Sequence, residues 1–137
     1  MLRWLLRGLV ALALLLGAAA TTFYIVVERR MQARQSVTPH PVAVPVDTLS
    51  IEKGRHLATI RGCVECHSSD LGGRTFIDSP MAGRLSGTNL TRGKGGVGAS
   101  LQDIDWVRAI RHGIAPDGRA LLIMPSHEYN VLSDEDA

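Results

Sequence analysis

The chain has 137 residues, is 45% hydrophobic but only 4% aromatic, and carries a formal charge of +2. A run of 20 residues without charge, Gly8 to Val27, takes up much of the apolar content. What remains is too short for a two-domain soluble enzyme or a large nucleotide-binding sheet. The first 30 residues carry a net +3, from Arg3, Arg7, Arg29 and Arg30 against Glu28, and the remainder carries −1. A nucleic-acid binder keeps its positive charge on the folded domain, so that class is excluded and no nucleic-acid partner is expected.

The uncharged run has the length a helix needs to cross a bilayer. A cleaved signal peptide, with Ala18-Ala19-Ala20 as its small-residue site, is the rival. The apolar run continues seven residues past Ala20 and ends sharply at Glu28-Arg29-Arg30. Residues 1–30 are therefore expected to be a retained transmembrane anchor, with membrane lipid as its partner. Basic residues flank both ends, so orientation is not legible here.

Residues 31–47, with Pro39, Pro41 and Pro45, read as an extended, stiff linker. An edge strand is discounted because prolines delete ladder donors. Residues 48–137 form the domain. Its first helix should start at a Thr48 or Ser50 cap, carry Ile51, Leu57, Ala58 and Ile60, and end by Gly62. Gly54 inside it suggests close approach of another helix.

The strongest signal is Cys63-Val64-Glu65-Cys66-His67, which holds the only two cysteines. C-x-x-C-H is the attachment pattern of a c-type haem. Two intervening residues put both sulfurs on one helical turn, where they can bond the porphyrin's two vinyl groups. His67 then lies beneath the ring as an iron ligand. The macrocycle also supplies core that a small domain lacks. A thioredoxin-like pair would follow a strand, and a structural zinc site would need a second ligand pair. Neither context is visible, and a regulatory disulfide predicts nothing about His67.

An electron carrier needs a sixth iron ligand, and Met81, Met124, His112 and His127 are the candidates. Met124, in Leu121-Leu122-Ile123-Met124-Pro125, lies far enough along the chain to return to the opposite face of the ring. A thioether there raises the potential relative to a second imidazole. Met124 is the preferred ligand, with bis-histidine ligation the competitor. The glycine-rich stretch around Gly93-Lys94-Gly95 fails the phosphate-loop spacing and reads as a loop over one haem edge. A second helix is expected from about Asp103 to His112, stopped by Gly113, with Trp106 either against the haem or in ordinary core. Pro116-Asp117-Gly118 is a turn, and Ser133-Asp134-Glu135-Asp136 reads as a helix start.

The sequence resembles the class I c-type cytochromes, especially the single-haem domains found as cytochrome subunits of membrane-bound dehydrogenases. The likeness runs over about residues 50–137 and rests on Gly54, Leu57, the CVECH pentapeptide, Asn89-Leu90-Thr91, Trp106, Asp117-Gly118, Met124-Pro125, Tyr129 and Leu132-Ser133-Asp134-Glu135-Asp136. It implies an all-α fold around one covalent haem c, ligated by His67 and Met124, and one-electron transfer without catalysis. It places the haem domain on the outer, periplasmic side of the inner membrane. The partner would be a redox complex: a dehydrogenase, a quinol-oxidising complex, a terminal oxidase or a photosynthetic reaction centre. Family members end in a helix that crosses the first one. That helix is missing after Ala137, so the sequence is expected to be truncated. The different-class alternative is a haem ligand sensor or small peroxidase-like enzyme with a displaceable Met124.

Overall fold

The computed structural model describes residues 1–81 and 83–136. Helix α1 spans Leu2–Gln32 and none of its residues is buried. At about 1.5 Å per residue it is roughly 46 Å long, enough to cross the hydrocarbon core of a bilayer with a turn or more to spare. It is the one described helix long and apolar enough to do so.

Residues 33–46 are extended, as the prolines dictate, but they are not all free. Gln35 N–H donates to Gly118 O at 2.8 Å, and Arg34 pairs with Arg119 as an antiparallel bridge. Pro39 is buried. The linker is thus a tether only in its second half. Strand-like pairing was discounted because of the prolines, yet it occurs at Arg34, upstream of the first of them.

Helix α2, Thr48–Ile60, is capped by Asp47 and not by Thr48 or Ser50. The Asp47 carboxylate accepts from Ser50 N–H at 3.0 Å and from Ser50 Oγ at 2.7 Å. Gly54 faces open space, since a Cβ there would meet nothing within 4 Å. Gly62, at φ 78°, reverses the chain into the one-turn helix α3, Cys63–His67.

The all-α expectation needs correcting. Strands β1, Arg74–Ser79, and β2, Gly83–Gly87, form an antiparallel hairpin with an irregularity between Thr75 and Ile77. Phe76 and Leu85 turn inward and are half-buried. The chain is therefore helix-rich with a small hairpin.

Helix α4, Asp103–His112, has the predicted bounds. Gln102 and Asp105 form a reciprocal cap at its start, and Gly113, at φ 64°, ends it. Helix α5, Ser126–Tyr129, packs against α4. A Cβ on Gly113 would overlap the Ser126 hydroxyl, so this glycine allows the two helices to meet. The segment 133–136 forms a turn, not the start of a helix, and Lys53 of α2 bonds Glu135 and Asp136 there, both at 2.8 Å.

Among the described residues, the buried apolar side chains are Val107, Ile114, Ala115 and Tyr129. That is a very small side-chain core for a domain of this length.

Candidate haem-attachment site

Cys63 and Cys66 lie on the single turn of α3 as free, half-buried thiols. Burial pushes the Cys63 thiol up, with the neighbouring Cys66 adding to the effect. His67 is held by its ring: Nδ1 lies 2.7 Å from the carbonyl oxygen of Thr88. A carbonyl can only accept, so Nδ1 carries a proton and Nε2 is the ring nitrogen left to act as a ligand. A backbone acceptor behind an imidazole is the usual way that a metal-ligating histidine is oriented and made more basic.

Several main-chain bonds fix that carbonyl. Gly73 N–H donates to His67 O, and Leu90 N–H to Leu71 O, both at 2.8 Å. Asn89 Oδ1 accepts from Thr91 N–H at 2.9 Å and Thr91 Oγ1 at 2.7 Å, clasping the turn that follows Thr88. Gly87 passes so close to α3 that a Cβ would overlap the Cys66 carbonyl. Ser68 and Leu71 take φ values of 71° and 58°. A non-glycine residue in that region costs on the order of 1–3 kcal/mol, so the surrounding contacts hold this reversal against strain.

The C-terminal side reaches α3 through Tyr129. Its hydroxyl donates to Arg61 O at 3.0 Å. Burial raises its pKa, with the nearby Cys63 thiol contributing next. Residues 121–125 therefore lead into a helix docked at the cysteine turn. Of the four candidate sixth ligands, only Met124 is half-buried. Met81 is 99% exposed on the hairpin, His127 has an 81% exposed side chain, and His112 is exposed.

These residues fit a covalent haem. Two thiols share one turn, a histidine has its outer nitrogen engaged and its inner one available, and the domain has almost no side-chain core of its own. The chain is a homologue of dehydrogenase cytochrome subunits. It is 41% identical over 92 residues to the gluconate 2-dehydrogenase cytochrome c subunit of Pantoea cypripedii, covering 63% of this chain and 20% of that one. It is 34% identical over 128 residues to the fructose dehydrogenase cytochrome subunit of Gluconobacter japonicus, covering 88% and 26%. It is 33% identical over 100 residues to the alcohol dehydrogenase (quinone) cytochrome c subunit of Gluconobacter oxydans, covering 69% and 20%. The chain thus spans between a fifth and about a quarter of the length of these relatives. No family model and no solved structure matches it.

The sequence names Cys63, Cys66, His67 and Met124 as the expected site residues, but not the Thr88 carbonyl or the role of Gly87. A backbone acceptor leaves no side-chain signature. Gly87 belongs to no motif, and what matters is its place at a strand end beside the cysteine turn.

Proposed function

We propose that the chain is a membrane-anchored c-type cytochrome module that passes single electrons within a dehydrogenase complex to a downstream acceptor. The observation that carries this reading is His67, held through Nδ1 by Thr88 O directly after Cys63 and Cys66. Cys63 and Cys66 would bind one haem c as thioethers, and His67 and Met124 would ligate its iron. The bound haem supplies a one-electron couple. The chain's own residues set the conditions: Thr88 and the Asn89–Thr91 clasp orient His67, and Tyr129 docks the Met124 segment to the cysteine turn. With His67 and Met124 both holding the iron, this chain would offer no open coordination position for a substrate and is read as an electron-transfer subunit, not an enzyme. Its helix α1 would hold it in the inner membrane with the haem domain on the periplasmic face. The donor complex would be a dehydrogenase, with quinol-linked and oxidase partners as the finer possibilities.

The test is Met124→Ala in the haem-loaded chain. The expected result is a potential lower by about 0.1 V or more, within the roughly 0.8 V range that axial ligands command, with new binding of added imidazole. An unchanged potential and spectrum would remove Met124 from the role. Leu122 and Ile123 are 61% and 57% exposed, so the Met124 side is open to solvent. Rapid carbon monoxide binding by the reduced wild-type protein would therefore favour the sensor or peroxidase-like reading over the carrier.

A further inference from the structure

The expected tether between α1 and the haem domain is docked almost as soon as it leaves the helix. Arg34 Nη1 donates to Asp117 Oδ2 at 2.7 Å, and Gln35 N–H to Gly118 O at 2.8 Å. Arg108 Nε donates to Val37 O at 3.1 Å and its guanidinium also holds Asp105 at 2.5 Å. Pro39 is buried. Between this segment and the Pro116–Arg119 turn lies an open cavity of about 350 Å³ lined by Ser36, Thr38 and Pro116 among others. Gly118, at φ 83°, lets the segment approach: a Cβ there would lie 3.0 Å from Gln35 O.

Reach shows what this docking changes. As a free polyproline-like rod, residues 33–47 would carry the domain about 45 Å from the helix end. The docked geometry allows far less. Val27 to Gln32 rises about 7.5 Å in helical conformation. The two residues from Gln32 to Arg34 add at most about 7 Å. Arg34 therefore sits within roughly 15 Å of the hydrocarbon edge and the 116–119 turn bridged to it within roughly 20 Å, and the headgroup layer itself is about 5–8 Å deep. The charge on this face suits phosphates. Arg29 and Arg30 close α1, and Asp117 is shared by Arg34 and Arg119, leaving that cluster net positive.

We propose that Arg34–Pro39 and the Pro116–Arg119 turn form the surface by which the haem domain stands on the bilayer, in contact with the acidic phospholipid headgroups of the membrane that α1 crosses. The domain is thereby held in one orientation and does not swing on its linker. This rests on α1 being a membrane span.

The full haem-loaded chain in nanodiscs provides the test. The Gln35 amide should exchange with solvent at least about a hundredfold more slowly than in an unstructured peptide, because its donor is engaged. Arg34→Ala with Gly118→Ala, which keeps the Gln35 amide but crowds Gln35 O, should remove this protection while leaving the haem spectrum unchanged. The amides of Asp117, Gly118 and Arg119 should be slowed further when phosphatidylcholine discs contain a third phosphatidylglycerol, and Arg119→Glu should abolish that increment at the other two. In stacked oriented bilayers, the ferric haem's electron paramagnetic resonance should vary with sample angle in the wild type and flatten in the double variant. Free-peptide exchange at Gln35, or indifference of 117–119 to acidic lipid, overturns the proposal alone. Release of the chain by alkaline carbonate overturns it together with the anchor reading. Absence of covalent haem overturns the functional reading while leaving the amide tests standing.

Discussion

The two sides of the candidate haem site are built differently. On the His67 side, the ligand follows the cysteines directly in sequence, and its ring is fixed by a carbonyl 2.7 Å away. The reversal at Ser68 and Leu71, the Asn89–Thr91 clasp and the close pass of Gly87 hold that arrangement. On the Met124 side the local bonds, Ser126 N–H to Met124 O and Glu128 N–H to Pro125 O, both at 2.9 Å, are to the backbone and do not hold the Met124 side chain. The segment is carried by remote docking: Leu121 N–H to Gly113 O at 2.7 Å, Ser126 against Gly113, and Tyr129 to Arg61 O. The His67 ring has a hydrogen-bond partner of its own, whereas the Met124 segment is held through its backbone and its neighbours. The lesson is that the histidine face is preset for its ligand, while the methionine face depends on the α4–α5 packing.

The largest effect should come from the attachment itself. Cys63→Ser with Cys66→Ser should eliminate covalent tetrapyrrole, which intact-protein mass spectrometry reads as loss of the haem mass; a retained adduct would refute the site. Next is Gly87→Ala, which forces a methyl group into the Cys66 carbonyl. Overpacking of this kind costs about 1–3 kcal/mol, and here it should also lower the yield of haem-loaded protein. Normal yield and melting would show that the His67 side is not preset as described.

Tyr129→Phe probes the opposite side. Losing its bond to Arg61 O should cost about 0.5–1.5 kcal/mol in denaturant unfolding and make the Met124 ligand easier to displace by imidazole. Loss of stability without easier displacement would mean that Tyr129 does not govern the methionine face. The smallest effect is acid fraying of α2, which leads into the cysteine turn. Ser50's hydrogen bonds hold the Asp47 carboxyl below its ordinary 3.8. The depressed carboxylate therefore contributes stability that is complete above pH 3.8 and is lost as pH falls through its lower folded value. Asp47→Ala should lose that part of the acid dependence in helix content followed by circular dichroism.

Much of the site was legible because its chemistry is local. Cys63, Cys66 and His67 fall within five consecutive positions, and one helical turn brings them together whatever the rest of the chain does. Helix α4 was legible for the same reason, with Gly113 stopping it through its left-handed φ. The β-hairpin was not, because the pairing of Ile77 with Leu85, and the irregularity that sets Phe76 between Thr75 and Ile77, arise only when the two strands meet. Nor was the Asp47 cap, since Thr48 and Ser50 offered equally good oxygens nearby.

From the order of its residues alone, this chain determined a helix long and apolar enough for a bilayer and a pentapeptide suited to covalent haem, because both depend on spacing along the backbone. Only the tertiary structure decided which carbonyl orients His67, that Tyr129 closes on the cysteine turn, and that the proline-rich segment lies against the 116–119 turn. Those contacts join residues 21, 68 and 83 positions apart. Their partners are backbone oxygens and paired charges, which carry no signal until the fold brings them together.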